Sequence, residues 1–208
     1  MIHDISPTIS AALAVWPGDT PPTREVLLDI ASGHNITLST LRGTVHLGAH
    51  ADAPSHYGAG AADIANVPLE RYLGPCEVMR VDVDRGGLID PAMLPRAVGA
   101  PRLLLATGTY PDPGAFNVDF AGLAPDLVDH LHRKGVVLVG VDTPSVDPFS
   151  SKELPAHNRC LVHRMAILEG LVLRDVPEGQ YELIALPLRL AGFDASPVRA
   201  VLRSSQSP

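Results

Sequence analysis

Three histidines and a carboxylate fall within eleven residues: His46-Leu-Gly-Ala-His50-Ala-Asp52-Ala-Pro-Ser-His56. Imidazole nitrogen and carboxylate oxygen are borderline-to-hard donors that suit zinc or a similar divalent ion. The gaps hold Gly48, Ala49, Ala51 and Ala53, which leave room beside the donors for an ion and a reacting molecule. A set of solvated surface polar residues is the alternative for any single histidine, and this density argues against it.

The elements that position these donors follow from the same run. Pro54 and the small residues argue against a helix carrying His46 and His50 as an i, i+4 pair. On a strand, His46, Gly48, His50 and Asp52 share one face, and Leu47, Ala49 and Ala51 pack inward from the other. A straight strand would hold His46 and Asp52 about 20 Å apart at ~3.3 Å per residue. The donors meet only if the chain bends, and Gly48 or a bulge near Ala51 is the natural place.

Other residues carry weaker signals. Trp16 is the only tryptophan and lies in a loop bounded by Pro and Gly, where a core anchor is the ordinary reading. Glu169 follows the apolar run Met165-Ala-Ile-Leu168, so it is drawn toward the interior and needs a partner there. Asp142, Ser145 and Asp147 follow a buried-looking strand and read first as turn formers. His130 and His132 sit near a helix C-terminus, where the dipole alone favours them. Cys76 and Cys160 are isolated and far apart, which predicts buried, inert, reduced thiols.

With 208 residues, 46% apolar and 19% charged, the chain reads as one globular domain spanning 1–208, with no convincing internal boundary. A net charge of −7 argues against nucleic acid or an anionic membrane as partner. No apolar stretch approaches the roughly 20 residues that span a bilayer. The N-terminus lacks a basic segment followed by an apolar core, so a cytoplasmic location is expected. Strands are predicted at 25–30, 35–40, 45–52, 77–83, 102–107, 136–141, 167–173 and 181–190. Pro187 demotes the last of these to an edge or bulged strand. Helices are predicted at 125–134, ending at Gly135, and at 157–164 after Pro155. Ser196-Pro197 reads as the N-cap and first position of a closing helix through Leu202. The tail 204–208 is expected to fray. The sum is an α/β domain with a mixed sheet or barrel flanked by helices.

The central run resembles the signature His-x-Gly-Thr-His-x-Asp-x-Pro-x-His of the metal-dependent cyclase family, and within it the bacterial kynurenine formamidases. Asp4-Ile5-Ser6-Pro7, Val15-Trp16-Pro17-Gly18-Asp19, Gly140-Val-Asp142-Thr-Pro-Ser145-Val-Asp147-Pro and Leu154-Pro-Ala-His157 continue the likeness. Ile167-Leu-Glu169-Gly-Leu, Tyr181-Glu-Leu-Ile-Ala-Leu-Pro and Asp194-Ala-Ser-Pro extend it almost to the end. Ala49 departs from the pattern, standing where the wider family has Thr.

The resemblance implies a cyclase-like, swivelling β/β/α fold and hydrolysis of N-formyl-L-kynurenine to L-kynurenine and formate in tryptophan degradation. It implies two divalent ions per chain, most simply Zn2+, and a homodimer. His46, His50 and Asp52 would hold one ion, with Asp52 reaching a second. His157 would bind that second ion, and Glu169 would serve both. His56 would move protons, a fourth ligand or an orienting group being the alternative, and Trp16 would contact the aromatic formamide. An isatin-type cyclic amide is the competing substrate, and a metal-stabilised binding module without turnover is the competing class.

Overall fold

A computed structural model describes residues 1–204 of the chain. The strands in chain order begin with β1 (Ile2–Asp4), β2 (Thr23–Leu28), β3 (Leu38–Arg42), β4 (His50–Asp52) and β5 (Leu73–Arg80). After β6 (Leu88–Ile89), β7 (Arg102–Ala106) and β8 (Gly122–Leu123) come helix α1 (Pro125–Arg133) and β9 (Leu138–Val141). Helix α2 (Pro155–His163), β10 (Ala166–Glu169), β11 (Gly179–Ile184), β12 (Ala195–Pro197) and β13 (Val201–Ser204) complete the series.

Nine strands form one strongly curled mixed sheet, a half-barrel, in the order β1-β13-β11-β5-β7-β9-β10-β4-β12. The middle four, β5, β7, β9 and β10, run parallel; antiparallel strands extend them on both sides. Alternation along the central strands divides the core into two layers. Leu103, Leu105, Val139, Val141 and Ile167 meet Leu127, Val128 and Leu131 of α1 and Ala156 and Cys160 of α2. Leu104, Ala106, Leu138 and Leu168 face the other way, toward Ala49, Ala51 and Ala53. His50 and Asp52 therefore point to the helix-bearing side, which is where α2 can reach them. With only 4% aromatic residues, this core is mostly aliphatic, with Tyr72 buried among the smaller side chains.

Both helices fall where the sequence predicts them, each beginning at a proline whose missing N–H costs nothing there. Gly135, at φ +82°, terminates α1. Each predicted strand has a counterpart, with ends shifted by a few residues. Pro187 lies beyond the end of β11.

The closing helix is the correction. Ala195–Pro197 and Val201–Ser204 are strands β12 and β13 instead. Ser196 is fully buried, and its hydroxyl accepts from Leu188 N–H and donates to the Pro197 carbonyl, so it caps no helix. Pro197 is tolerated because β12 is a sheet edge. Strand β13 fills the slot between β1 and β11, a long-range demand that overrides the local cap signal. Ser204 is paired rather than frayed, its N–H donating to the Met1 carbonyl at 3.0 Å. The rest of the predicted tail, 205–208, lies outside the described residues. Among the described residues, no helix is long and apolar enough to cross a membrane.

Candidate metal centre

Strand β4 is only three residues long because the chain turns at Gly48, which sits at φ +60°. The turn carries His46 back over the strand, so that its Nδ1 lies 3.2 Å from Asp52 Oδ1. Gly170 makes this possible. A Cβ there would lie 2.2 Å from the Gly48 carbonyl oxygen, so only glycine lets the end of β10 pass the turn. Antiparallel pairing then sets Glu169 directly opposite His50, and places Asp52 opposite Ala195, one residue past Asp194. The first turn of α2 supplies His157 from above the same face.

The five donors form one cluster, with His50, Asp52, His157 and Glu169 buried and His46 half-buried. His50 Nε2 lies 3.6 Å from Asp52 Oδ1 and 3.3 Å from Glu169 Oε2. His157 Nε2 lies 3.3 Å from Asp52 Oδ2 and 3.5 Å from Glu169 Oε1. Each carboxylate thus turns one oxygen toward His50 and the other toward His157. His46 joins the His50 side through Asp52 Oδ1.

Three histidines have their outer nitrogens fixed by acceptors. His46 Nε2 meets Asp194 Oδ2 at 3.0 Å, His50 Nδ1 meets the Gly48 carbonyl at 2.8 Å, and His157 Nδ1 meets Asp147 Oδ2 at 2.7 Å. Donation outward leaves the inner nitrogen as a lone pair, the arrangement that orients metal-binding imidazoles. His50 Nε2 and both oxygens of Asp52 are buried without a hydrogen-bond partner. Such atoms carry a desolvation cost that a cation removes. His50, Asp52 and Glu169 offer donor atoms close enough to share one ion.

The electrostatics agree. Burial opposes charging His46 and His157, yet the neighbouring carboxylates overcome it, raising His46 to about 9 and His157 well above its usual value. Burial also opposes ionisation of Asp52 and Glu169, but the adjacent histidines hold both carboxyls below their ordinary range. The same carboxylate charge that favours protons on the histidines would hold a divalent ion in their place.

His56 stands apart from that buried set. It follows β4 on a single helical turn behind Pro54, its side chain is one-third exposed, and its Nδ1 is 3.3 Å from Asp194 Oδ2. Its ring lies 4.3 Å from that of His46, and together with His46 and Asp52 it could also complete a ligand set. Asp194 is a site residue that the sequence does not single out, because it falls at the mouth of the expected closing helix. Asp147 is more than the turn former its sequence position suggests. Besides meeting His157 Nδ1, it accepts the N–H groups of Ala156 and His157 at the start of α2. Asp142 does shape a turn, accepting from Thr107 and Gly108. Ala49, where the family pattern has Thr, is buried and contributes its carbonyl to Val198 N–H.

If Asp147 orients His157, then Asp147→Asn weakens metal affinity by about 10- to 100-fold, the usual cost of losing such a partner. Competition with a chromophoric chelator measures this, and unchanged affinity would remove Asp147 from the site.

A cavity of about 620 Å3 opens onto the cluster, a size suited to a small molecule. Its wall includes Trp16, which is half-buried and packs against Phe116, Phe120 and Phe149 at ring separations of 5.5, 6.1 and 4.9 Å. Cys76 and Cys160 are buried outside that cavity, and burial pushes both thiols up, Cys76 to about 12.

Residues 3–148 match the Cyclase family, described as "Putative cyclase". The chain belongs to that family. The predicted metal-dependent hydrolase from Bacillus stearothermophilus is 30% identical over 97% of each chain, with a TM-score of 0.81. A potential metal-dependent hydrolase with cyclase activity is 29% identical over 97% of this chain and 96% of its own, also at 0.81. An isatin hydrolase bound to the product analogue thioisatinate shares the fold at 19% identity and a TM-score of 0.81, over 97% of this chain and 91% of its own.

Proposed function

We propose that this chain is a metal-dependent arylformamidase that hydrolyses N-formyl-L-kynurenine to L-kynurenine and formate, with two divalent ions, most simply zinc. The observation that carries the reading is the division of the buried cluster. Asp52 and Glu169 each present one oxygen to His50 and the other to His157, while His46 completes the first side. That layout would let Asp52 and Glu169 serve two ions, with His46 and His50 on one side and His157 on the other. The metal-dependent hydrolases from Bacillus stearothermophilus and its 29%-identical counterpart support the hydrolase class.

Bound divalent ions supply a polarised carbonyl and a water whose pKa is lowered toward neutrality. The protein's own residues do the rest. The aniline nitrogen of an aryl formamide leaves only if it gains a proton as the C–N bond breaks. His56, held by Asp194 through Nδ1, keeps Nε2 available to receive a proton from the attacking water and deliver it to that nitrogen. Trp16, backed by Phe116 and Phe149, offers an aromatic surface to the substrate ring. The histidines hold the Asp52 and Glu169 carboxyls below their ordinary range, which suits this part of the cavity to cations.

Initial rates on N-formyl-L-kynurenine, isatin and formanilide test the reading with zinc-loaded protein. Preference for the formylkynurenine is expected. Preference for isatin would move the chain to a cyclic-amide hydrolase, and no hydrolysis with about one ion bound would make it a binding module.

A further inference from the structure

Residues 169–174 line the cavity without interruption, from Glu169 in the metal cluster to Arg174. Five steps at ~3.5 Å each place those two Cα atoms within about 18 Å of one another. A long arginine side chain and a small aromatic molecule fit within that span. The apolar wall formed by Leu13, Trp16, Phe116 and Leu171 lies in the same cavity.

Arg174 is mounted on a fixed backbone. Arg80 Nη2 donates to the carbonyls of Leu173, Arg174 and Val176 at 3.3, 2.6 and 3.2 Å, clamping the segment that carries it. The Nη2 group of Arg80 is thereby committed to the protein itself. Arg174, by contrast, donates one N–H to the Pro111 carbonyl, a neutral acceptor, and no carboxylate among the described residues pairs with it. A guanidinium has five donors in a planar fork that matches a carboxylate. Asp19 and Asp142 also line the cavity, so a carboxylate on the substrate is favoured only beside a cation.

We infer that Arg174 anchors a carboxylate on the substrate, across the aromatic wall from the formamide being cut. It is a specificity-determining residue, and it restricts the enzyme to aryl formamides that bear an acidic side chain. The inference rests on the arylformamidase reading of the metal site.

The test compares two substrates with the same ring, ketone and formamide: N-formyl-L-kynurenine, and 2-formamidoacetophenone, which lacks the amino-acid ammonium and carboxylate together. In zinc-loaded Arg174→Gln, KM for formylkynurenine is expected to rise about 10- to 100-fold, the range for losing a hydrogen bond to a charged group. Its kcat and both constants for the acetophenone stay within about twofold, and Arg174→Lys recovers part of the KM. Because Arg174 also tethers the loop at Pro111, equal damage to both substrates would mean a structural role and overturn the inference. So would no change with either. Wild-type protein that hydrolyses neither substrate would instead defeat the arylformamidase reading, and the anchor with it.

Discussion

Asp52→Asn is expected to abolish binding of both ions and to lower kcat/KM for N-formyl-L-kynurenine by about three orders of magnitude or more. Asp52 is the residue common to both halves of the cluster, with Oδ1 toward His46 and His50 and Oδ2 toward His157. Asparagine removes the charge and replaces one oxygen with an N–H donor pointed at a site for cations. Several kcal/mol of transition-state stabilisation come from metal in such sites, and each 1.36 kcal/mol is about tenfold in rate. The variant should still fold. Asparagine keeps the size and shape of the side chain, so packing around residue 52 is retained while its contacts to His46 and His157 weaken. Elemental analysis beside circular dichroism checks this. A folded variant that retains two ions and full turnover would contradict the role given to Asp52.

His56→Ala separates the proton carrier from the ligands. Metal content is expected to stay at the parent level while kcat falls by about 10²- to 10⁴-fold, the range for a positioned general acid–base. The geometry makes this a sharp test, because His56 is near enough to His46 and Asp52 to serve as a ligand. Loss of an ion along with activity would assign it that role instead. The partly exposed ring and its Asp194 partner favour the proton carrier: an imidazole that shuttles protons needs solvent access and a held orientation, while the three ligand histidines have their outer nitrogens turned into protein.

How much of this is legible in the residues depends on the distance over which each signal acts. The run from His46 to His56 states its donors within eleven positions, and the need for a bend at Gly48 follows from strand geometry alone. The bend's tightness does not, because it depends on Gly170, more than a hundred residues away. Glu169 is half legible: an acid after an apolar run signals burial, but its pairing across from His50 is a register fact. Asp194 is hidden by a local signal that loses. Ser196-Pro197 has good N-cap chemistry, yet the slots beside β4 and between β1 and β11 demand strands, and Asp194 takes its place from that pairing. Asp147 is visible only as a turn former, since its link to His157 depends on where α2 begins.

Two ions working together are the centre of the account. Metal-free protein titrated with zinc, with L-kynurenine release from N-formyl-L-kynurenine followed at each step, tests this most directly. The account predicts that the rate climbs to a plateau at two equivalents per chain. A plateau at one equivalent, or no release at any zinc level, would contradict it.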